Sequence, residues 1–72
     1  MSTDNYYYIA KRGDEWRGTM CFASGDYTDS ELEHKLEAPY FRAPSLVEAI
    51  RLAQDDYTEY GYYVEAESLD AE

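Results

Sequence analysis

Positive charge is scarce in this 72-residue sequence: six Lys and Arg stand against sixteen Asp and Glu, for a net charge of −10. Cysteine is scarcer still. Cys21 is the only one, so no intrachain disulfide can form and a secreted disulfide scaffold is excluded. In a strand such a residue reads as a small, half-buried hydrophobe, and one unpaired thiol fits a reducing compartment. No apolar run approaches the length that crosses a bilayer. Residues 1–5 have neither the basic nor the apolar region of a signal peptide. The expectation is a single small acidic domain over residues 1–72, cytoplasmic, with a thin core. Residues 1–4 and 68–72 are expected to fray at its ends.

The residues of common chemistries are also missing. His34 is the one histidine; Glu33 and Lys35 beside it mark a solvated helix face rather than a positioned base. Cys21 and Ser24 have no His–Asp constellation at hand and no nucleophile elbow. No glycine-rich phosphate loop occurs. Asp26, Asp29, Glu31 and Glu33 lack the loop spacing and central glycine of a calcium site. The sequence therefore predicts no catalytic residue, no metal and no cofactor, which places the chain outside the enzymes.

What is present is acid and aromatic. Residues 1–22 balance three acids with three bases, while residues 23–72 hold 13 acids against three bases. Such a surface disfavours direct contact with nucleic acid or anionic membrane, both of which need basic residues. It favours a basic protein partner, with electrostatic steering of the encounter. Twelve aromatic residues, nine of them tyrosine, argue for a folded chain despite the acidity.

The pattern predicts the order strand, strand, short helix, short strand, helix, strand. Residues 6–10 and 16–23 read as a hairpin around Gly13, with Trp16, Gly18, Met20 and Phe22 on the core face and Arg17, Thr19 and Cys21 opposite. Gly18 on the packed side signals a bulge or the close approach of another element. Ser30 and Glu33 fit a capping box for a helix over 31–37. Residues 40–42 lie extended between Pro39 and Pro44, as an edge strand. Ser45 and Glu48 cap a helix over 46–60 with Gly61 beyond its end, and 62–66 forms the last strand. The fold class is α+β: a small antiparallel sheet with one main helix across one face. The predicted core is Ile9, Trp16, Met20, Phe22, Leu32, Leu36, Leu46, Ile50, Ala53 and Val64.

Three acidic rows follow from this placement. Asp29, Glu33 and Glu37 recur every four residues along the first helix. Asp55, Asp56 and Glu59 fall in the last turns of the second, where the macrodipole disfavours carboxylates by about 0.3–1 kcal/mol each. Tyr63, Glu65 and Glu67 share a face of the last strand. A locally unfavourable run of acid points to function, and phenols beside carboxylates suit Arg and Lys. The candidate partner-binding residues are these nine and Tyr60. The tripeptide Arg12-Gly13-Asp14 is explained by the hairpin turn and is assigned no adhesive role.

In length, charge and hairpin–helix–strand order the chain resembles small phage-encoded anti-CRISPR inhibitors, several of which mimic nucleic acid. The resemblance implies a non-enzymatic inhibitor in a bacterial host cytoplasm. Its acidic-aromatic surface would occupy the basic nucleic-acid channel of a CRISPR effector or similar complex. The segment Phe41-Arg42-Ala43-Pro44-Ser45-Leu46-Val47-Glu48-Ala49-Ile50 also resembles the strand, cap and helix start of HicB-like antitoxin N-terminal domains. That resemblance implies an alternative, an antitoxin-like protein–protein binding module with apolar contacts at Tyr6, Tyr8 and Tyr40. Monomer and homodimer both remain open.

Overall fold

The computed structural model describes residues 5–22, 25–57 and 60–70. Glu59, Ser24 and residues 1–4, 23, 58, 71 and 72 lie outside them. Strands β1 (Asn5–Arg12) and β2 (Glu15–Phe22) form an antiparallel hairpin in register from Asn5↔Phe22 to Arg12↔Glu15. Gly13 has φ 66° and Asp14 does not share the positive φ, the arrangement of a two-residue loop with glycine first. Helix α1 (Asp29–Glu37) follows, then β3 (Phe41–Ala43), α2 (Leu46–Arg51), a π-helical turn (Leu52–Asp56), β4 (Gly61–Val64) and α3 (Ala66–Asp70).

The α+β class stands, with a sheet ordered β3-β2-β1-β4. It is mixed rather than antiparallel, because β4 runs parallel to β1. The reason lies in the connection. β3 is antiparallel to β2 and so points the same way as β1. α2 and the π-helical turn carry the chain back along the sheet, so β4 starts from the same end as β3, whereas α1 delivers β3 antiparallel to β2.

Helices also cover both faces, not one. On the first face Tyr7, Ile9, Trp16, Phe41, Ala43, Ala49 and Ala53 form a buried cluster that receives α2 and the π-helical turn. On the second, Tyr8, Ala10 and Cys21 pack against Leu36 of α1. Four consecutive β1 residues, Tyr7 to Ala10, are buried for this reason, since a strand covered on both sides needs no polar alternation. Of the predicted core, Phe22 is 50% exposed. It sits at the end of its strand and belongs to neither buried cluster.

The predicted face of β2 is observed, and Gly18 has its reason. The Phe41 ring of β3 lies across it, and a Cβ at that position would overlap the ring. β3 is an edge strand, as expected. Tyr7 is ringed by Tyr40, Phe41, Tyr57 and Tyr60, at centroid distances from 5.3 to 6.4 Å.

The caps differ in detail. Thr28, not Ser30, caps α1: its hydroxyl accepts from the Glu31 N–H at 3.1 Å, and the Glu31 carboxylate accepts from the Thr28 N–H at 2.9 Å. Both spacings fit the motif. The earlier start places Asp29 and Glu31 in the first turn, where the helix end favours acid, and leaves Glu33 free for another partner. Ser45 caps α2 as predicted, accepting from the Glu48 N–H at 3.2 Å. Glu48 pairs with Arg51 instead of reaching back.

α2 ends well before Tyr60. It widens into the π-helical turn, in which the Tyr57 N–H donates to the Leu52 carbonyl at 3.0 Å. Gly61 opens β4 and is not a left-handed cap. The last strand stops at Val64. Residues 68–70 of the segment expected to fray belong to α3, and Ser68 is buried.

Candidate functional site

Of the predicted binding residues, Asp55, Asp56, Asp29, Glu33, Tyr63, Glu65 and Glu67 lie around the outer strand β4, on its two sides, while Glu59 lies outside the described residues. On the α2 side the π-helical turn packs beside β4 and carries Asp55 and Asp56, both exposed. On the α1 side Tyr63 is 57% exposed and stacks on Tyr8 at 5.9 Å. Below it a groove is lined by Asp29, Leu32, Glu33, Glu65, Ala66 and Glu67. That groove joins four of the predicted carboxylates from two separate segments, α1 and residues 65–67. Glu37 is exposed beside His34 at 3.8 Å, near the end of α1.

Three of the predicted placements need correction. Tyr60 is half-buried, its ring 5.3 Å from Tyr7, so it belongs to the core rather than to a contact surface. Glu67 lies in α3 and breaks the row expected with Tyr63 and Glu65 along one strand. Tyr8, offered as an edge contact, lies buried in the centre of the sheet, while Tyr6 is half-buried and only Tyr40 is exposed.

Glu65 and Glu33 have a further role. Arg12, at the end of β1, turns its guanidinium back over the sheet. It donates from Nη1 to Glu65 Oε1 at 2.9 Å, from Nη2 to Glu65 Oε2 at 3.0 Å, and from Nε to Glu33 Oε1 at 2.8 Å; Nη2 also pairs with Glu33. The Ser68 hydroxyl donates to Glu65 Oε1 at 2.6 Å and accepts from the Lys11 N–H at 2.9 Å. The Tyr8 hydroxyl donates to Glu65 Oε2 at 3.1 Å. These donors, Arg12 first, hold the Glu65 carboxyl down to about 2. Arg12 likewise lowers Glu33. Burial, with the Glu65 bond behind it, raises the Tyr8 phenol. The network ties hairpin, α1, β4 and α3 together and accounts for the Arg12-Gly13-Asp14 arginine.

The other arginines are also occupied. Arg17 lies 2.7 Å and Arg42 3.7 Å from Glu15, and Arg51 lies 2.7 Å from Glu48. Among the described residues, no salt bridge reaches Asp29, Asp55, Asp56 or Glu67. Arg51, paired with Glu48, also attracts Asp55 and Asp56 through space, but none of the four carboxylates has a direct cation partner among the described residues.

Sequence reasoning missed Tyr62, which is 40% exposed on the α2 side of β4. Its place next to Tyr63 in an outer strand was the available signal. It also missed the Arg12 clamp, which joins residues 53 positions apart. Among the described residues no group of three or more His, Cys, Asp or Glu side chains is placed to hold a metal ion, and no helix is long and apolar enough to cross a membrane. No family model, no curated protein and no solved structure matches this chain.

Proposed function

We propose that this protein is a non-enzymatic inhibitor of the anti-CRISPR type, which sets the acidic-aromatic rim around β4 into the basic nucleic-acid site of a bacterial defence complex. One observation supports the reading most directly. The chain's arginines are each engaged in a salt bridge, yet none of these bridges reaches Asp55, Asp56, Asp29 or Glu67, which lie on the two sides of one sheet edge. Exposed Tyr62 and Tyr63 stand between them. Phenol faces and free carboxylates together accept Arg and Lys.

The test is capture from a bacterial lysate by the immobilised chain, with mass spectrometry of the retained proteins, followed by competition. The expected partner is displaced by nucleic acid, released by salt as exposed charges are screened, and lost by Asp55→Lys with Asp56→Lys. Binding that nucleic acid does not displace and charge reversal does not weaken would sink the proposal. Recovery of a toxin instead would select the antitoxin-like alternative.

A further inference from the structure

The sheet has two edges of different character. β3 has three residues, exposes Arg42 and runs directly into Pro44; short length, charge and proline are the usual means of blunting an edge. β4 has four residues, Gly61-Tyr62-Tyr63-Val64, with no charge and no proline. Along a strand the backbone groups of alternate residues point to opposite sides. The Glu65 N–H donates to the Ile9 carbonyl at 2.9 Å, toward β1. By the same alternation Gly61 and Tyr63 face β1, while Tyr62 and Val64 turn their N–H and C=O groups outward.

We infer that β4 is a docking edge, and that its occupant is an extended, Lys- or Arg-bearing segment of a partner protein that adds to the sheet as a fifth strand. The inference rests on the rim reading above and names how the partner is held. Strand addition supplies main-chain hydrogen bonds, and side chains at alternate positions supply selectivity.

Charge selects this occupant over a second copy of the chain. Asp55 and Asp56 border β4 on the Tyr62 side, and Glu65, Glu67 and Asp70 follow its end. Lys11 and Arg12 are the cations nearest that end, and Arg12 is clamped by Glu33 and Glu65. Pairing two β4 edges would bring these like charges together in molecules of net charge −10. A basic strand meets carboxylates on both sides, with alternate side chains over the Tyr62 and Tyr63 rings.

The experiment is a display selection of random peptides of about a dozen residues on the full chain, with amide exchange measured on the bound form and binding compared across variants. Selected peptides are expected to carry Lys or Arg at alternate positions and to slow exchange at Tyr62 and Val64. Tyr62→Pro removes one outward N–H without changing charge, and is expected to weaken them by about tenfold or more. Peptides that protect other amides, or that lack basic enrichment, overturn the inference, as does dimerisation of the chain through β4. Should Tyr62→Pro not fold, the exchange pattern of the unsubstituted chain still decides. Loss of binding in Asp55→Lys with Asp56→Lys, but not in Tyr62→Pro, defeats strand addition and leaves the rim reading standing. Selected peptides indifferent to both substitutions defeat both.

Discussion

Arg12 and Glu65 are 53 residues apart in sequence, and two hydrogen bonds of 2.9 and 3.0 Å join the guanidinium of one to the carboxylate of the other. The contact closes the open end of the β1–β4 pair, where α3 begins. It also makes the stability of this fold depend on pH.

Glu65 has a folded value of about 2 against an ordinary 4.5. A carboxyl depressed on folding adds stability above its unfolded value, and that stability is lost as pH falls through the folded one. The pair is partly screened, so the contribution at neutral pH is on the order of 2 kcal/mol. Urea midpoints should therefore fall between about pH 4.5 and pH 2, and Glu65→Gln should flatten the fall while lowering stability at pH 7. A Glu65→Gln chain with the same acid profile as the original would show that the clamp carries no stability.

Gly18→Ala is expected to destabilise by about 1–3 kcal/mol, the range for forcing atoms into a packed core. The added methyl would occupy the place of the Phe41 ring. A smaller residue at 41 relieves the clash, so Phe41→Leu should cost less on the Gly18→Ala background than alone. Additive losses in a double-mutant cycle, read by urea denaturation, would contradict this coupling.

Asp55 and Asp56 sit in the last helical turn, where the macrodipole opposes them. Asp55→Asn and Asp56→Asn should each raise stability by about 0.3–1 kcal/mol at low salt, with the gain shrinking as salt rises. The same substitutions should weaken capture of a basic partner. Thermal melts at two ionic strengths check the first part. Lower stability in both variants would remove the argument that these carboxylates are kept at a structural cost.

Ser68 is buried and bridges the Lys11 N–H to Glu65. Ser68→Ala leaves that N–H unsatisfied, at a cost of about 1–3 kcal/mol. Truncation after Glu67 should cost at least as much. A truncated chain with an unchanged urea midpoint would return residues 68–70 to the status of a dispensable tail.

The legible part of the fold lies in short-range pattern. Alternation in 16–22, the Gly13 turn and the Ser45 cap are all local preferences, and each is realised. Two capping spacings overlapped at Thr28 and Ser30, and local sequence could not rank them. The choice depends on where Leu32 and Leu36 must sit to meet Tyr8 and Cys21 across the sheet. Tyr60 was misplaced for the same kind of reason. A tyrosine beside carboxylates reads as surface until the ring of Tyr7 is found 5.3 Å away.

By itself the sequence determined the α+β class, the hairpin, the Ser45 cap, and an excess of acid confined to residues 23–72. Those follow from backbone preference, hydrophobic period and the count of ionisable groups, all of which act within a few residues. Only the tertiary structure decided that β4 runs parallel to β1 at an open edge. It likewise decided that α1 and α2 take opposite faces, and that Glu65 and Glu33 are held by Arg12 while Asp55, Asp56, Asp29 and Glu67 are not. Those outcomes depend on how helices carry the chain across a sheet, and on which distant charges that path brings within hydrogen-bond reach.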